Sequence, residues 1–413
     1  MTQQTIPGQK EVNDRYRDFI IQVQAGLTAI PAIGPESNGE GEAKKAEYLK
    51  QLLRDANIAY DSLEEINAPD DRVPAKYRPN LIYKINGKSA AKTTWIMGHM
   101  DIVPPGDTGW DSDPYKVVEK DGKLYGRGTE DNQQAIVSSL LAVKMLQDLN
   151  LQPEYNIGLL FVADEETGSG YGVDYVLEQR PDLFREHDLI LVPDSGDPEG
   201  LTIEVAEKSI LWIKCETKGI GTHASTPEKG KNAHKAGAHL IVKMNNLYKE
   251  FSEQDYVYDP PISTFEPTKK EKNVDNVNTI PGEDVFYFDC RILPCYPLEE
   301  IKARIRQWAD EVEKEFGVTI TFSYPAEKTA PTPTPVDAPV VTALKKAVKE
   351  VAGRDAKTIG IGGGTVAACF RYKNLPAVCW SNLDESLHQP NEYCKIDNVI
   401  TDARVFAHIF LQA

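Results

Sequence analysis

Short apolar runs closed by an acid or a histidine constrain this chain more than any other feature. They read TTWIMGHMD (93–101), IGLLFVADEETGSG (157–170) and LILVPDSGD (189–197). Runs of this length suit buried strands and are far too short to cross a bilayer. Helical periodicity falls between them, over 131–149 and 172–179. Such alternation implies an α/β fold: a mostly parallel-type sheet with helices on both faces. In open sheets of this kind, ligands collect at the carboxyl ends of the strands. That is where these acids and the histidine stand.

The rest of the chain extends the pattern and then interrupts it. Helical periodicity covers 10–28 and 43–57, with the turn-rich PAIGPESNGEGE between them, and RPNLIYKI reads as a strand. The helix at 131–149 reads as amphipathic. After about Glu207 the order becomes strand (SILWIKCETKG), helix (232–250), two strands (ISTFEPTKK and DVFYFDCRIL), helix (298–316) and strand (VTITFSY). That β-α-β-β-α-β order makes a unit able to stand alone. PAEKTAPTPTP (325–335) reads as an extended connector. A helix (340–351), a glycine loop (360–365), the strand LPAVCW and a last helix (396–411) then resume the first pattern. At 413 residues two domains are the default. We assign 1–207 and 324–413 to a discontinuous catalytic domain and 208–323 to an inserted domain.

Bulk properties exclude several classes. A net charge of −17 argues against nucleic acid, which needs a basic footprint. MTQQTIPGQKEVNDRYRDF lacks the apolar core of a secretory signal, and no apolar run is long enough for a membrane span. The six cysteines form no CxxC pair and lie mostly in apolar segments, as expected of reduced, buried thiols in a cytoplasmic protein.

Five motifs carry the chemistry: GHMD (98–101), GRGTED (126–131), ADEETGSG (163–170), VPDSGD (192–197) and SLHQPNEY (386–393). Two histidines with several carboxylates make a site for hard or borderline divalent cations, zinc first. The H-x-D spacing lets Asp101 accept a hydrogen bond from His99 and fix its tautomer. Asp131 alone would read as a helix N-cap. Glu165 and Glu166 end a strand that reads as buried, where adjacent acids need a compensating charge.

In this order the motifs resemble the di-zinc aminoacylase and carboxypeptidase family, which includes succinyl-diaminopimelate desuccinylases, acetylornithine deacetylases and cytosolic dipeptidases. GTHASTPEKGKNA (221–233), VNTIPG (277–282) and DCR (289–291) fit it too. The resemblance implies two zinc ions per subunit, with Co or Mn as possible substitutes. Asp131 would bridge them, with His99 and Asp194 completing one site and Glu166 and His388 the other. Two ions about 3.5–4 Å apart can share a hydroxide and polarise a carbonyl. Glu165 would be the general base and Asp101 would orient His99. A cis peptide would join Asp131 to Asn132. The inserted domain would be a lid and homodimer contact whose His223 stabilises the oxyanion. Arg291, Asn278, Gly363, Gly364 and Thr365 would hold the substrate, Arg suiting a carboxylate by its planar fork. Departures occur at NQQA (132–135) and GGTVA (363–367), where the family usually reads Lys-Gly and GGTDA.

The function so implied is metal-dependent hydrolysis of amide bonds in small-molecule substrates, short peptides or N-acyl amino acids. Peptides are preferred because residue 194 is Asp, as in dipeptidases and aminopeptidases of the family. Asp197 and Glu199 are candidates to meet a substrate ammonium. The alternatives are an N-acyl-amino-acid deacylase, a thiol hydrolase and an inert binding relative. No cysteine sits in an electropositive turn, which disfavours the thiol. Retention of Glu165 and every ligand disfavours the inert form.

Overall fold

The computed structural model of the protein describes residues 5–106 and 108–412. The chain divides into two compact units. One runs to Val205 and resumes over Pro333–Thr358 and from Thr365 onward, and the other comprises Ala206–Thr332 and Ile359–Gly364. Two features of this division differ from the sequence-based boundaries. The segment 325–335 is not all connector, because the strand Thr319–Lys328 continues through Pro325. The glycines at 362–364 group with the second unit.

The first unit is built on an eight-stranded sheet. Its spatial order is Ser62–Pro69, Tyr77–Ile85, Tyr155–Val162, Ser89–His99, Leu189–Val192, Ala377–Cys379, Thr202–Glu207 and Lys357–Ile361. The four strands from Tyr155–Val162 to Ala377–Cys379 are mutually parallel. Antiparallel neighbours flank them. The parallel strands are apolar throughout because helices cover both their faces. Thr93–His99 and Leu189–Val192, for example, are wholly buried. Trp95, Met97, Leu160, Val192, Phe184 and Phe370 interlock on one side. Each such side chain contributes about 1.5–3 kcal/mol by leaving water. Three strands of this sheet were not read from sequence: Ser62–Pro69, Thr202–Glu207 and Lys357–Ile361. Ser62–Pro69 is an edge strand holding two glutamates, with burial too shallow to leave a two-residue period.

The helix Gln133–Asp148 corrects the amphipathic reading of 131–149. It is buried on every side from Gln133 to Val143, polar residues included. Its glutamines take up polar work inside the core. Gln133 Oε1 accepts from Gln24 Nε2 (2.9 Å) and Thr28 Oγ1 (2.8 Å). The NQQA departure thus builds neutral hydrogen bonds at the start of this helix.

In the second unit the sheet order is Thr264–Lys270, Glu283–Ile292, Ser209–Lys218 and Thr319–Lys328, all antiparallel. Burial alternates along Ser209–Lys218 and Glu283–Ile292, as one covered face requires. The helices Ala233–Met244 and Leu298–Phe316 supply that cover, packing Leu240, Ile301, Ile305 and Trp308 on Leu211, Ile213, Phe286 and Phe288. All six cysteines are free. Cys295 is exposed and Cys369 half-buried, while the other four are buried. Burial pushes the Cys215, Cys379 and Cys394 thiols well up, so none of these is poised as a nucleophile. Among the described residues, no helix is long and apolar enough to cross a membrane.

The last helix, Ile396–Phe410, carries one fully buried carboxyl, Asp402. It accepts from Ser381 Oγ (2.6 Å), Asn382 N–H (3.0 Å) and Gln134 Nε2 (2.8 Å), with no Lys or Arg paired to it among the described residues. Burial outweighs these donors and pushes its pKa up to about 7. The neutral acid is therefore the form that folding favours. Its stabilisation is complete below the unfolded value near 4 and is lost as pH rises toward 7. Asp402→Asn escapes this loss, because Gln134 Oε1 is buried without a partner and can accept from the new amide after a flip. The melting temperature of Asp402→Asn relative to wild type should rise between pH 4 and 7, by about 2–4 °C per kcal/mol. A difference constant across that window would mean that Asp402 titrates ordinarily.

Candidate metal centre

Seven of the residues singled out in sequence, His99, Asp101, Asp131, Glu165, Glu166, Asp194 and His388, meet in the first unit. His99 ends its parallel strand, and Glu165 and Glu166 follow the neighbouring strand Tyr155–Val162 in a short turn. Asp194 follows Leu189–Val192. Asp131 precedes the buried helix Gln133–Asp148, and His388 lies in the loop before the last helix. All of these side chains gather at the carboxyl ends of the parallel strands.

Asp131 is central. Its Oδ1 is 2.9 Å from His99 Nε2, and its Oδ2 is 3.1 Å from His388 Nε2. One carboxylate thus addresses two imidazoles with different oxygens. His99 Nε2 also lies 3.5 Å from Asp194 Oδ1 and 3.9 Å from Glu165 Oε2. His388 Nε2 is 3.1 Å from Glu166 Oε2. Two sets of donors, His99–Glu165–Asp194 and His99–Asp131–Glu166, each lie within 4.8 Å of one another. The peptide between Asp131 and Asn132 is cis.

The electrostatics of this group call for a cation. His99 is buried, and its Nδ1 donates to Asp101, 3.1 Å from the carbonyl and 3.3 Å from Oδ1. A neutral ring must then present its Nε2 lone pair to three carboxylate oxygens. Burial alone would lower the His99 pKa, but Asp101, Asp131 and Asp194 outweigh it and raise it well above the ordinary value. For Asp131 burial acts upward, and the two histidines overcome it and hold its carboxyl low. Asp131 and Glu166 lift His388 to about 10. Burial, then Asp194, raises Glu165 well above the usual carboxylate range. Glu166 Oε1 is buried with no hydrogen-bond partner. Lone pairs converging without donors fit hard or borderline divalent cations, which the imidazole and carboxylate donor set suits.

Several contacts that sequence reasoning did not foresee shape the centre. Asp101 does more than orient His99. Its Oδ1 and Oδ2 accept the N–H groups of Glu165 (3.2 Å) and Glu166 (3.0 Å), fixing the turn that carries both glutamates. Asn132 donates to Pro193 O and Asp194 Oδ1 (both 2.8 Å), and its Oδ1 lies 3.3 Å from the His99 N–H. A Cβ on Gly98 would stand 3.0 Å from that Oδ1, so the strand needs bare backbone there. Glu130 and Glu392 bond the backbones around Asp131 and His388. Their signal in sequence was only an acid adjoining a ligand inside a motif.

The remaining candidates lie elsewhere. His223 and Asn278 belong to the second unit, on a small ribbon that pairs Thr222–His223 with Thr279–Ile280. His223 is exposed, with Nδ1 2.7 Å from Ser225 Oγ. Arg291 is held by Asp289 through Nε (2.6 Å) and Nη2 (3.0 Å), and its Nη1 donates to Gly362 O (2.7 Å). The ion pair with Asp289 is thus formed, and only two of five N–H donors remain for a ligand. Gly363 and Gly364 follow the strand Lys357–Ile361 in the second unit, and Thr365 opens the next segment of the first. Asp197 and Glu199 are already engaged. Asp197 accepts from the backbones of Glu199, Leu201 and Thr202, and Glu199 pairs with Arg354 (2.9 Å). That removes the argument that they wait for a substrate ammonium.

Several known proteins are similar to this chain. The chain is 43% identical over 404 residues to an uncharacterized metallohydrolase of Methanocaldococcus jannaschii, covering 94% of this chain and 98% of that one. It is 27% identical over 304 residues to a succinyl-diaminopimelate desuccinylase of a Sulfurovum species, covering 73% and 78%. Its fold matches that of a Bacillus cereus aminopeptidase with a TM-score of 0.71 at 20% identity, over 96% and 98% of the chains. The model of peptidase family M20/M25/M40 matches residues 95–412, a span that contains every proposed ligand. With a metal-ligand cluster at its strand ends, this chain belongs to peptidase family M20/M25/M40 and is a metal-dependent hydrolase of peptide or linear amide bonds.

Proposed function

We propose that the chain is a two-ion hydrolase of short peptides with a free carboxylate, zinc being the first choice of metal. The observation that carries the two-ion reading is Asp131, whose two oxygens stand 2.9 and 3.1 Å from two different imidazoles. His99 and Asp194 would complete one set of ligands, and Glu166 and His388 the other. When bound, the ions polarise the scissile carbonyl and acidify the attacking water. Glu165 takes a proton from that water and returns it to the leaving nitrogen as the C–N bond breaks. Its raised pKa, caused by burial and then Asp194, suits a group that must both accept and give a proton. Asp101 holds Glu165 and His99 in place. Glu165→Gln should lose about 10²–10⁴-fold in kcat while the protein still binds two ions by elemental analysis. Near-wild-type turnover would remove Glu165 from this role, and loss of metal would make it a ligand.

The second unit is proposed as lid and homodimer contact, with His223 donating to the oxyanion. Its exposed ring, hydrogen-bonded to Ser225 Oγ, is accessible to an incoming group. His223→Ala should lower kcat by about 10²–10³-fold, the range for a lost oxyanion donor, with a smaller change in KM. Wild-type protein should sediment as a dimer at assay concentration. An active monomer, or a fully active His223→Ala, would each defeat its half of the proposal.

Peptides are preferred over N-acyl amino acids on the strength of Asp194 alone, now that Asp197 and Glu199 are engaged elsewhere. The desuccinylase relative favours the second reading, an N-acyl-amino-acid deacylase. Arg291, Asn278 and the 363–365 segment would serve the substrate carboxylate in either case, Arg291 through its two uncommitted N–H donors. With enzyme loaded with zinc, kcat/KM on dipeptides should exceed that on their N-acetyl and N-succinyl counterparts. A chelator should abolish both activities. Faster cleavage of the acylated series would establish the deacylase, and undiminished cleavage of C-terminally amidated peptides would take Arg291 out of the site.

A further inference from the structure

Two buried acids beside the proposed ligands have no part in the reaction above. Glu130 precedes Asp131, and Glu392 follows His388 by one turn of loop. Glu392 crosses from the His388 loop to the Asp131 loop. Its Oε1 accepts the N–H groups of Glu130 (3.0 Å) and Asp131 (3.1 Å). Its Oε2 accepts the Gly128 N–H (3.0 Å) and Arg127 Nη1 (2.5 Å). Glu130 makes the opposite crossing. Its Oε1 accepts the Asp384 N–H (2.6 Å), and its Oε2 accepts the N–H and hydroxyl of Ser386. Ser386 Oγ in turn accepts the Tyr393 N–H (3.1 Å), closing the loop on itself.

Each loop therefore sends one carboxylate into backbone donors of the other. The loop that bears His388 needs such support. Glu385, His388 and Asn391 have φ values of 61°, 58° and 59°, in the left-handed region that side-chain-bearing residues seldom adopt. The His388 ring is half exposed and gains little restraint from packing. Asp131, by contrast, also faces the rigid His99.

We propose that Glu130 and Glu392 are positioning residues, a reciprocal carboxylate clasp that sets the separation of Asp131 and His388 and thereby the second ion site. Neither side chain touches substrate. The inference rests on the two-ion reading above. Its consequence is selective: with the clasp broken, the site of Asp131, Glu166 and His388 weakens, while that of His99, Asp131 and Asp194 persists. Gln is the informative replacement, because it keeps the shape but turns an acceptor oxygen into a donor facing donors.

The test titrates cobalt(II) into metal-free, full-length wild type, Glu130→Gln, Glu392→Gln, Ser386→Ala and the Glu130→Gln/Glu392→Gln double variant. Calorimetry reads the two affinities, visible absorption reads the cobalt geometry, and melting of the metal-free proteins monitors the fold. Each Gln variant should weaken one of the two sites by about 10–100-fold, the usual effect of losing a group that orients a ligand. The other site should stay within about twofold, the absorption of one of the two cobalt ions should change, and kcat should fall more than KM moves. The double variant should lose little beyond either single, because both act through one clasp. Should the Gln variants fail to fold, Ser386→Ala decides, since it removes one donor without burying a mismatched amide. Wild-type affinity in the folded variants, or losses that multiply in the double, would overturn the clasp. A wild type that binds fewer than two ions would instead refute the two-ion reading.

Discussion

Repulsion among crowded, partly buried carboxylates is the interaction around which this molecule is arranged. Asp101, Asp131, Glu165, Glu166 and Asp194 converge on one buried imidazole, with His388 closing the far side. Taking that many acids out of water costs far more than neutral hydrogen bonds return. The pKa directions record the tension: the histidines are driven toward the charged state, and Glu165 and Asp194 toward the neutral one. A divalent cation resolves both at once. The same tension makes the site selective for cations over any anionic ligand.

The scaffold holds the group against its own repulsion by donating to the acids from behind. Asp101 is held by the amides of Glu165 and Glu166, Asp194 by the Asn132 amide, and Glu392 by four donors of the Asp131 loop. Behind the glutamate turn, Asp164 sits at a φ of 63°. It is braced by the Tyr171 N–H (3.0 Å) and by Arg78, which also pairs with the buried Glu42. Burial pushes Glu42 up to about 7 even against that arginine. Ligand geometry here is thus a property of loops stapled by carboxylate–amide bonds on a rigid parallel sheet, in keeping with the need for orienting groups around any metal.

Much of this was readable from the chain. The apolar runs gave the parallel strands because such strands are buried on both faces and cannot alternate. The β-α-β-β-α-β order gave the second unit. The ligand types were visible because Asp, Glu and His at the ends of buried runs have few other reasons to be there. What failed to read was local. Ser62–Pro69 lies at an edge with half-buried acids, so neither period nor composition marks it. The helix Gln133–Asp148 looked amphipathic because its buried face includes Gln and Ser, whose partners come from remote segments. Arg291 could serve either as a substrate fork or as the ion partner of Asp289, two residues away on the same strand face, and the structure puts two of its donors on Asp289.

The chain alone determined the fold class and the identity of the candidate ligand side chains. Those depend on burial and on chemical type, which each residue carries with it. Only the tertiary structure decided which acids are ligands in waiting and which are already spent. Asp197 and Glu199 turned out to be consumed by turns and an arginine, and Glu130 and Glu392 to be fastened across two loops distant in sequence. The last two roles depend on the direction of hydrogen bonds between segments more than two hundred residues apart, and direction in space is the quantity that a one-dimensional pattern does not contain.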